Sequence, residues 1–233
     1  MMKFSGKFIA DLFGLLFPRL CGGCGRQLNN GEKAICTHCL YHIPYTDHHL
    51  HKDNKVARHF WGKIPVSNAM ALCYYQKGNG VQQLIYSLKY RGRQEIGTKI
   101  GMLIAEKMLQ GGMDTGIDLL IAVPLHQSKE RKRGYNQSSS IASGIAGVLK
   151  LPVAERLLLR AANTESQTRK GRDNRHQNMQ EAFRVPHPQA LSGKHILLVD
   201  DVVTTGATLE ACAIELFRSG VKEISIAVAA CAD

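Results

Sequence analysis

Two adjacent aspartates follow a continuous apolar run near the C-terminal end of this 233-residue sequence. The run "HILLV" leads into Asp200 and Asp201, and the segment "VVTTGAT" comes next. Such a run predicts a buried strand of an α/β sheet, and ligands bind beyond the carboxyl ends of such strands. Because carboxylate oxygens accept hydrogen bonds, the pair suits the hydroxyl groups of a polyol such as a ribose.

The segment after the aspartates has the composition of a phosphate-binding loop. A helix is predicted to begin near Thr208 or Leu209, and backbone N–H groups at a helix N-terminus bind anions. Threonine hydroxyls add donors, and glycine lets the backbone approach a phosphate oxygen closely. The candidate residues are Thr204, Thr205, Gly206, Ala207 and Thr208. A phosphate beside two ribose-binding carboxylates is a 5-phosphoribosyl group, and the ligand or its Mg²⁺ would supply partners for the two like charges.

Four of the seven cysteines form two C-x2-C pairs, Cys21 with Cys24 and Cys36 with Cys39. Two such pairs complete a closed, tetrahedral zinc site of the structural type. A disulfide framework is one alternative, but nothing in the sequence indicates secretion. A redox C-x-x-C is another, but it is expected as a single pair near a βαβ unit. The remaining cysteines stand singly in apolar segments and are predicted to be core residues: Cys73, Cys212 and Cys231.

The charge balance indicates a polyanionic or phosphorylated partner, because 30 Lys and Arg oppose 19 Asp and Glu for a formal net charge of +11. Two basic runs lie in the predicted segments "SLKYRGRQE" and "KERKRGYNQ", with tyrosines among the charges. Cations that follow a phosphate backbone, together with rings that stack on bases, suit single-stranded nucleic acid. The candidate residues are Lys89, Tyr90, Arg91, Arg131, Lys132, Arg133 and Tyr135. A solvated basic surface without a ligand is the alternative.

Apolar patterns along the rest of the chain predict an α/β domain with a parallel sheet. Strands are predicted at Ala69–Tyr75 and in "DLLIAVPL", "HILLVD" and "EISIAVAAC". Helices are predicted at Val81–Tyr90, Ile96–Leu109, Ser138–Leu149 and Leu209–Ser219, and "HQSKERKRGYNQ" as a basic loop. The polar, His-rich stretch "YTDHHLHKDNKVARHFWGKIP" is interpreted as a linker or a loosely packed extension.

Residues 1–60 are interpreted as an N-terminal amphipathic segment plus the cysteine module, and residues 61–233 as the α/β domain. The amphipathic segment is predicted to be helical from its apolar spacing, at Phe4, Phe8, Leu12, Leu15 and Leu16. No apolar stretch is long enough to span a membrane, and no signal-peptide cleavage pattern is present. A cytoplasmic location is therefore expected.

The segment "ILLVDDVVTTGAT" resembles the motif with which type I phosphoribosyltransferases bind 5-phosphoribosyl pyrophosphate (PRPP). Before it, in order, come "LKYRG", "VPLHQSKERKRGYNQS", T-x-x-Q from Thr164, R-x-N from Arg172 and N-x-x-x-AF from Asn178. With the cysteine pairs, the chain resembles the ComF family of phosphoribosyltransferase-like proteins, which is associated with natural competence, over nearly its whole length. One departure is Ala122, which stands where the family has the first proline of "PVPL". We expect Ala122 to lie within the strand and to leave the following loop unaffected.

The resemblance implies a type I phosphoribosyltransferase-like parallel sheet flanked by helices, with a small N-terminal four-cysteine zinc-binding module. It implies binding of PRPP with Mg²⁺, single-stranded DNA as a partner, and a DNA-translocating helicase acting alongside in the uptake of transforming DNA. Asp200 and Asp201 would hold the ribose hydroxyls, and residues 204–208 the 5′-phosphate. The loop after Pro124 would bind pyrophosphate, through Leu125, His126, Lys129, Arg131 and Arg133. The segment 164–175 would be a mobile lid that includes Arg169, Lys170 and Arg172.

Two other functions remain open at this point. One is a metabolic phosphoribosyltransferase acting on a small nucleobase or amine, and the other is a non-catalytic protein that senses PRPP. The sequence identifies no general base, no acceptor for phosphoribosyl transfer and no oligomeric state.

Overall fold

A parallel four-stranded sheet forms the centre of the computed structural model, which describes residues 18–160 and 182–232. The strands are β1 (Asn68–Tyr75), β2 (Leu119–Ala122), β3 (Leu159–Arg160), β4 (Phe183–Arg184), β5 (His195–Val203) and β6 (Glu223–Ala232). The sheet order is β1-β6-β5-β2, and each neighbouring pair is parallel. The short strands β3 and β4 pair antiparallel with each other. The predicted parallel sheet is confirmed.

Helices cover both faces of this sheet. They are α1 (Thr37–Tyr41), α2 (Lys55–Arg58), α3 (Gly80–Tyr90), α4 (Gln94–Gly111), α5 (Gln127–Arg133), α6 (Gln137–Leu149) and α7 (Ala207–Arg218). Side chains of β5 alternate between two cores: Leu197 packs with residues of α3, α4 and α6, and Leu198 packs with residues of α2 and α7. This alternation is the two-residue period of a strand that is buried on both faces.

Helices α4 and α6 approach each other until their backbones touch. A methyl group built on Gly101 would stand 2.0 Å from the carbonyl oxygen of Ile141, and one built on Gly144 would stand 2.1 Å from that of Thr98. Only glycine permits this separation. The contact fixes α6 against the sheet, so the N-terminal end of α6 is held beside the end of β5.

The cysteine segment shares a core with α3 and α4. Ile35 and Cys36 are buried in the same cluster as Leu84 and Ile96. The Ser87 hydroxyl donates a hydrogen bond of 3.0 Å to the carbonyl of Gly22. Whether the chain divides into domains at residue 60 stays a prediction.

The interpretation of the His-rich stretch as a linker or loose extension was wrong. Val56 is fully buried and Phe60 is 1% exposed, both against the α7 face of the sheet. Asn54 caps α2 through its side-chain oxygen and donates 2.8 Å to the carbonyl of Ala69 in β1. The missed signal was apolar spacing: Val56, Phe60 and Ile64 recur every four residues within a polar background.

Three element predictions also changed in detail. The basic run after β2 is not a plain loop, because residues 127–133 form helix α5, capped by the side chain of His126. Strand β5 continues through both aspartates to Val203, and α7 begins at Ala207. Ala122 is the last residue of β2, as expected. Within residues 18–160 and 182–232, no helix has both the length and the apolar character that crossing a membrane requires.

Candidate functional site

Asp200 is held between the end of β5 and the start of α6. The Ser138 hydroxyl donates a hydrogen bond of 2.9 Å to Asp200 Oδ1, and the backbone N–H of Asp201 donates to the same oxygen at 2.8 Å. Ser138 is in place because the Asn136 side chain caps α6 and also donates 2.9 Å to the carbonyl of Val123, just beyond β2. Ser138 is not recognisable as a site residue from the sequence, since 62 residues separate it from Asp200.

The Asp200 carboxyl titrates far above the usual range of aspartate. Burial raises its pKa to about 7, and the charge of Asp201 acts in the same direction. The hydrogen bonds from Asp201 and Ser138, together with the Lys89 charge, oppose this rise. Asp200 therefore changes protonation near neutral pH, where a ligand that needs a carboxylate would shift it toward the ionised form.

Asp201 has a cation as its partner. The Lys89 ammonium lies 2.9 Å from both Oδ1 and Oδ2 of Asp201. The Lys89 side chain is only 21% exposed and that of Asp201 only 13%. Lys89 is a candidate for nucleic-acid binding from the sequence, and in the structure its ammonium contacts Asp201. Its role in DNA binding stays a prediction.

The segment 204–208 forms a turn at the N-terminus of α7. Gly206 is the N-cap, with a positive φ of 77°, and the N–H of Glu210 donates 2.9 Å to its carbonyl. Thr204 and Thr205 are exposed, and Ala207 and Thr208 are half-buried. N–H groups of the first turn of a helix lack intrahelical partners, so this turn can bind an anion.

The segment 55–64 supports this turn from behind. A methyl group on Gly206 would lie 3.1 Å from the Cβ of His59 and 3.3 Å from Cε1 of Phe60. Lys63 pairs with Glu210 in the first turn of α7 at 3.2 Å. Burial and the charges of Lys63 and Lys55 lower the pKa of His59. No motif in the sequence of this segment indicates that it contacts the turn.

The predicted pyrophosphate loop follows β2 and continues into α5. Leu125 and His126 are half-buried, and the exposed cations Lys129, Arg131 and Lys132 project from α5. Arg133 is anchored, since its Nη1 donates 2.6 Å to Gln137 Oε1 at the start of α6. The loop thus meets the same end of α6 that holds Asp200.

Two exposed tyrosines of α3 form a row with two arginines. The rings of Tyr86 and Tyr90 are 5.1 Å apart, with Arg91 Cζ 5.5 Å from the Tyr86 ring and Arg133 Cζ 5.2 Å from the Tyr90 ring. Tyr86 is 47% exposed and Tyr90 57%. We call these four residues the tyrosine–arginine row. Tyr86 was missed from the sequence, although its i, i+4 spacing to Tyr90 places both on one helix face.

Tyr135 lies apart from that row. Its hydroxyl donates to the carbonyl of Leu88, and its half-buried ring packs against the core on the α3 side of the sheet. This environment is that of a packing residue with a satisfied hydroxyl group.

The four clustered cysteines can hold one metal ion. Their Sγ atoms all lie within 4.8 Å of one another, and those of Cys24 and Cys36 are 3.7 Å apart. Four sulfurs around a tetrahedral zinc stand about 3.8 Å apart for the usual Zn–S length. The N–H of Cys36 donates to Cys21 Sγ at 3.3 Å, and Arg26 Nε donates to Cys24 Sγ at 3.4 Å. The Arg26 contact is the main reason that the pKa of the Cys24 thiol falls to about 6, which favours the thiolate that metals bind.

A cavity of about 880 Å³ opens beside the pyrophosphate loop. Its walls include Pro124 and Leu125 of the loop, Asn136 and Glu130. Arg160 and Arg184, from β3 and β4, also line it. The predicted lid residues Arg169, Lys170 and Arg172 lie outside the described residues, as does the N-terminal amphipathic segment.

Comparisons with known proteins found a matching domain family and several related proteins. Residues 136–232 match the phosphoribosyl transferase domain family. The chain is 29% identical over 210 residues to DNA utilization protein YhgH of Escherichia coli O157:H7, covering 89% of this chain and 88% of that protein. It is 26% identical over 211 residues to competence protein F of Haemophilus influenzae, covering 89% and 88%. With competence protein ComFC of Bacillus subtilis the identity is 25% over 206 residues, covering 87% and 79%.

Among solved structures, glutamine PRPP amidotransferase from B. subtilis, complexed with ADP and GMP, matches with a TM-score of 0.44 and 17% identity. The match covers 61% of this chain and 30% of that protein. The fold assignment therefore rests on the sheet itself and on the family match.

Proposed function

We propose that this chain, as a member of the ComF family of phosphoribosyltransferase-like proteins, binds PRPP and single-stranded DNA during the uptake of transforming DNA. The observation that carries the PRPP part is the pairing of two carboxylates at the end of β5 with the Gly206 turn at the start of α7. The relatives' names associate them with DNA utilization and competence, which supports the cellular role. We place the protein in the cytoplasm, with a DNA-translocating helicase as a further partner.

The site's own residues suit a 5-phosphoribosyl group. Asp200 and Asp201 can accept hydrogen bonds from ribose hydroxyls, because each carboxylate has more lone pairs than its present partners use. The N–H groups of residues 205–208 can donate to the 5′-phosphate, and the positive φ of Gly206 gives the turn its shape. Carboxylate oxygens also suit Mg²⁺, which would neutralise the charge of a pyrophosphate group. Lys129, Arg131 and Arg133 supply cations on the side where that group would lie.

The tyrosine–arginine row supports the DNA part of the proposal. Bases can stack on exposed tyrosine rings, and arginine and lysine side chains can pair with phosphates. Arg131 and Lys132, exposed on α5, extend this positive surface beyond Arg133. Since the proposed pyrophosphate loop carries the same cations, the two proposed ligands would bind side by side.

For the cysteine cluster we propose a structural zinc ion. Four sulfur ligands leave no open position for a substrate. The ion would tie together a loop-rich segment that has few apolar residues of its own. Because this segment packs on α3 and α4, the zinc would also stabilise the helix that carries the tyrosine–arginine row.

The large cavity favours a second function, transfer of the phosphoribosyl group to a small acceptor. A cavity of about 880 Å³ is of the size that accommodates a small ligand. It borders the predicted pyrophosphate loop, and arginine residues are among those that line it. This geometry fits a metabolic transferase, and it also fits a PRPP sensor that catalyses no reaction. An assay of pyrophosphate release distinguishes these two functions.

The test measures binding and chemistry in the same protein. We expect calorimetry to show Mg²⁺-dependent binding of PRPP that is lost in the Asp200→Asn, Asp201→Asn double variant and kept in Asp114→Asn, a remote acidic control. Pyrophosphate release with and without single-stranded DNA then distinguishes a transferase from a binding protein. Wild-type protein that binds neither PRPP nor single-stranded DNA at physiological salt would refute the proposal.

A further inference from the structure

Lys89 stands between the two proposed binding sites. It lies in the last turn of α3, and its ammonium contacts both carboxylate oxygens of Asp201. On the same helix it is three residues from Tyr86 and directly precedes Tyr90, both in the tyrosine–arginine row. Residues three apart are neighbours on a helix surface. The Lys89 ammonium thus lies in the proposed PRPP site, and the helix turn that carries Lys89 lies in the proposed DNA site.

We propose that Lys89 is a displaceable occupant of the ribose site: it pairs with Asp201 in the free protein, and single-stranded DNA on the tyrosine–arginine row draws its ammonium away. Binding of single-stranded DNA then raises the affinity for Mg²⁺–PRPP. This inference rests on the proposed function and adds the regulation of its PRPP site.

The contact with Asp201 gives the reason for competition. The ammonium lies 2.9 Å from both oxygens, which are the oxygens that ribose hydroxyls or Mg²⁺ would use. A divalent cation and an ammonium on the same carboxylate repel each other. Both side chains are mostly buried, so this repulsion is poorly screened by solvent. Mg²⁺–PRPP must therefore displace Lys89, and its affinity for the free protein is reduced by that cost.

DNA offers Lys89 an alternative partner. A strand whose bases stack on Tyr86 and Tyr90 brings its phosphates next to the turn that carries Lys89. The lysine side chain has four methylene groups and can swing by rotation without a backbone shift. Within residues 18–160 and 182–232, Asp200 receives its hydrogen bonds from Ser138 and from the backbone of Asp201, and Lys89 acts on it only as a nearby charge. Asp201 is thus the carboxylate whose availability DNA can change.

The coupling is reciprocal by thermodynamic linkage: if DNA raises the affinity for Mg²⁺–PRPP by some factor, Mg²⁺–PRPP raises the affinity for DNA by the same factor. Allosteric couplings commonly reach fivefold or more, and we expect an effect of about that size. A lysine that only served packing would produce no coupling. If Lys89 instead bound the pyrophosphate group directly, its removal would weaken the binding of Mg²⁺–PRPP.

The experiment titrates Mg²⁺–PRPP into the full chain with and without a saturating thymidine oligonucleotide. In the wild type we expect the oligonucleotide to lower the Kd about fivefold or more. Lys89→Met should bind Mg²⁺–PRPP without DNA as tightly as the wild type does with DNA, and the oligonucleotide should have no further effect. Lys150→Met removes an exposed lysine at the far end of α6, and it should keep the wild-type coupling.

Salt titrations of DNA binding provide the second measurement. If Lys89 moves to a DNA phosphate, Lys89→Met should reduce the slope of log affinity against log salt by about 0.7. An oligonucleotide that leaves the PRPP affinity of the wild type unchanged, or weaker PRPP binding by Lys89→Met, would overturn the inference while leaving the proposed function in place. If the wild type bound neither ligand, both would fall together.

Discussion

The hydroxyl of Ser138 and the carboxylate of Asp200 join the start of α6 to the end of β5 through a hydrogen bond of 2.9 Å. The Ser138 hydroxyl donates to a carboxyl group whose pKa is about 7, because the Asp200 carboxyl is buried and lies beside Asp201. Asp200 thus has its titration within the physiological range, and Ser138 is one of the groups that keep it there.

Replacing Ser138 with Ala should raise the pKa of Asp200 further, because the ionised form loses a donor. If the ribose and Mg²⁺ need the ionised form, the affinity for Mg²⁺–PRPP should fall at neutral pH and recover at higher pH. Calorimetry over a pH series would measure the shift of this profile, with Ser139→Ala, an exposed neighbour, as the control. Identical profiles for the two variants would contradict the assigned role of Ser138.

The stability of the ligand-free protein should also depend on Asp200. Its pKa is about 7 in the folded state and 3.8 in model compounds, so the folded protein binds more protons than the unfolded chain between those values. The free energy of unfolding should therefore decrease as the pH rises through this window. Asp200→Asn should remove that decrease and be more stable than the wild type at about pH 8, by on the order of 2 kcal/mol.

Denaturant unfolding at several pH values would measure this difference. The two proteins should have nearly equal stability at about pH 4, where the wild-type carboxyl is protonated. A constant difference at every pH would show that burial of the Asp200 charge is not its source.

Gly206→Ala should both destabilise the protein and weaken PRPP binding. Gly134→Ala is the matched control, because Gly134 has nearly the same φ, 78° against 77°, but nothing within 4 Å of the added methyl group. The left-handed conformation alone should cost each variant about 1 kcal/mol. Contact with His59 and Phe60 should add about another 1 kcal/mol at Gly206. Equal unfolding midpoints would mean that the segment 55–64 does not support the turn.

Tyr86→Ala and Tyr90→Ala should each weaken binding of single-stranded DNA by about 1 to 3 kcal/mol, the usual contribution of one stacked base. Tyr41, which is 83% exposed on α1, provides the control substitution. Tyr135→Ala should instead lower stability, because its hydroxyl donates to Leu88 and its ring is half-buried. Fluorescence anisotropy would measure DNA binding. An effect of Tyr41→Ala as large as the other two would show that stacking is not localised to the row.

One zinc ion per chain is expected at the cysteine cluster, measurable by elemental analysis of protein purified without chelator. Cys21→Ser should lose the ion, and Cys212→Ala, which changes a buried cysteine on the opposite face of the sheet, should keep it. Because Ile35 and Cys36 share a core with α3 and α4, loss of zinc should also loosen those helices, and hydrogen exchange at Leu84 and Ile96 would report it. Protein free of zinc, with unchanged exchange, would contradict both expectations.

Local patterns predicted the sheet and its main helices, because strand runs and helix periodicity are each contained in a short window. The motif around Asp200 is equally local, and it supplied the candidate residues of the proposed PRPP site. Contacts between distant segments were not predictable in this way. The partner of Asp201 is Lys89, 112 residues earlier in the chain, and a lysine in a basic run gives no sign of which charge it meets. The same reason hid Ser138 and His59, whose importance comes only from what the fold brings beside them.

Phe60 and His59, lying against Gly206, also determine where the chain can be cut and rejoined. Consider a chimera that takes its N-terminal cysteine segment from one relative and the rest of its chain from another. If the junction lies within residues 54–64, the α2 segment of one protein packs against the α7 turn of the other. Even a methyl group on Gly206 would stand only 3.1 Å from the Cβ of His59, so the contact leaves little tolerance for such a mismatch. If the junction lies after Ile64, His59 and Phe60 come from the donor of the cysteine segment. Residues 204–210 must then come from the same donor. Residues 55–64 and 204–210 must therefore be exchanged together, although some 140 residues of sequence lie between them.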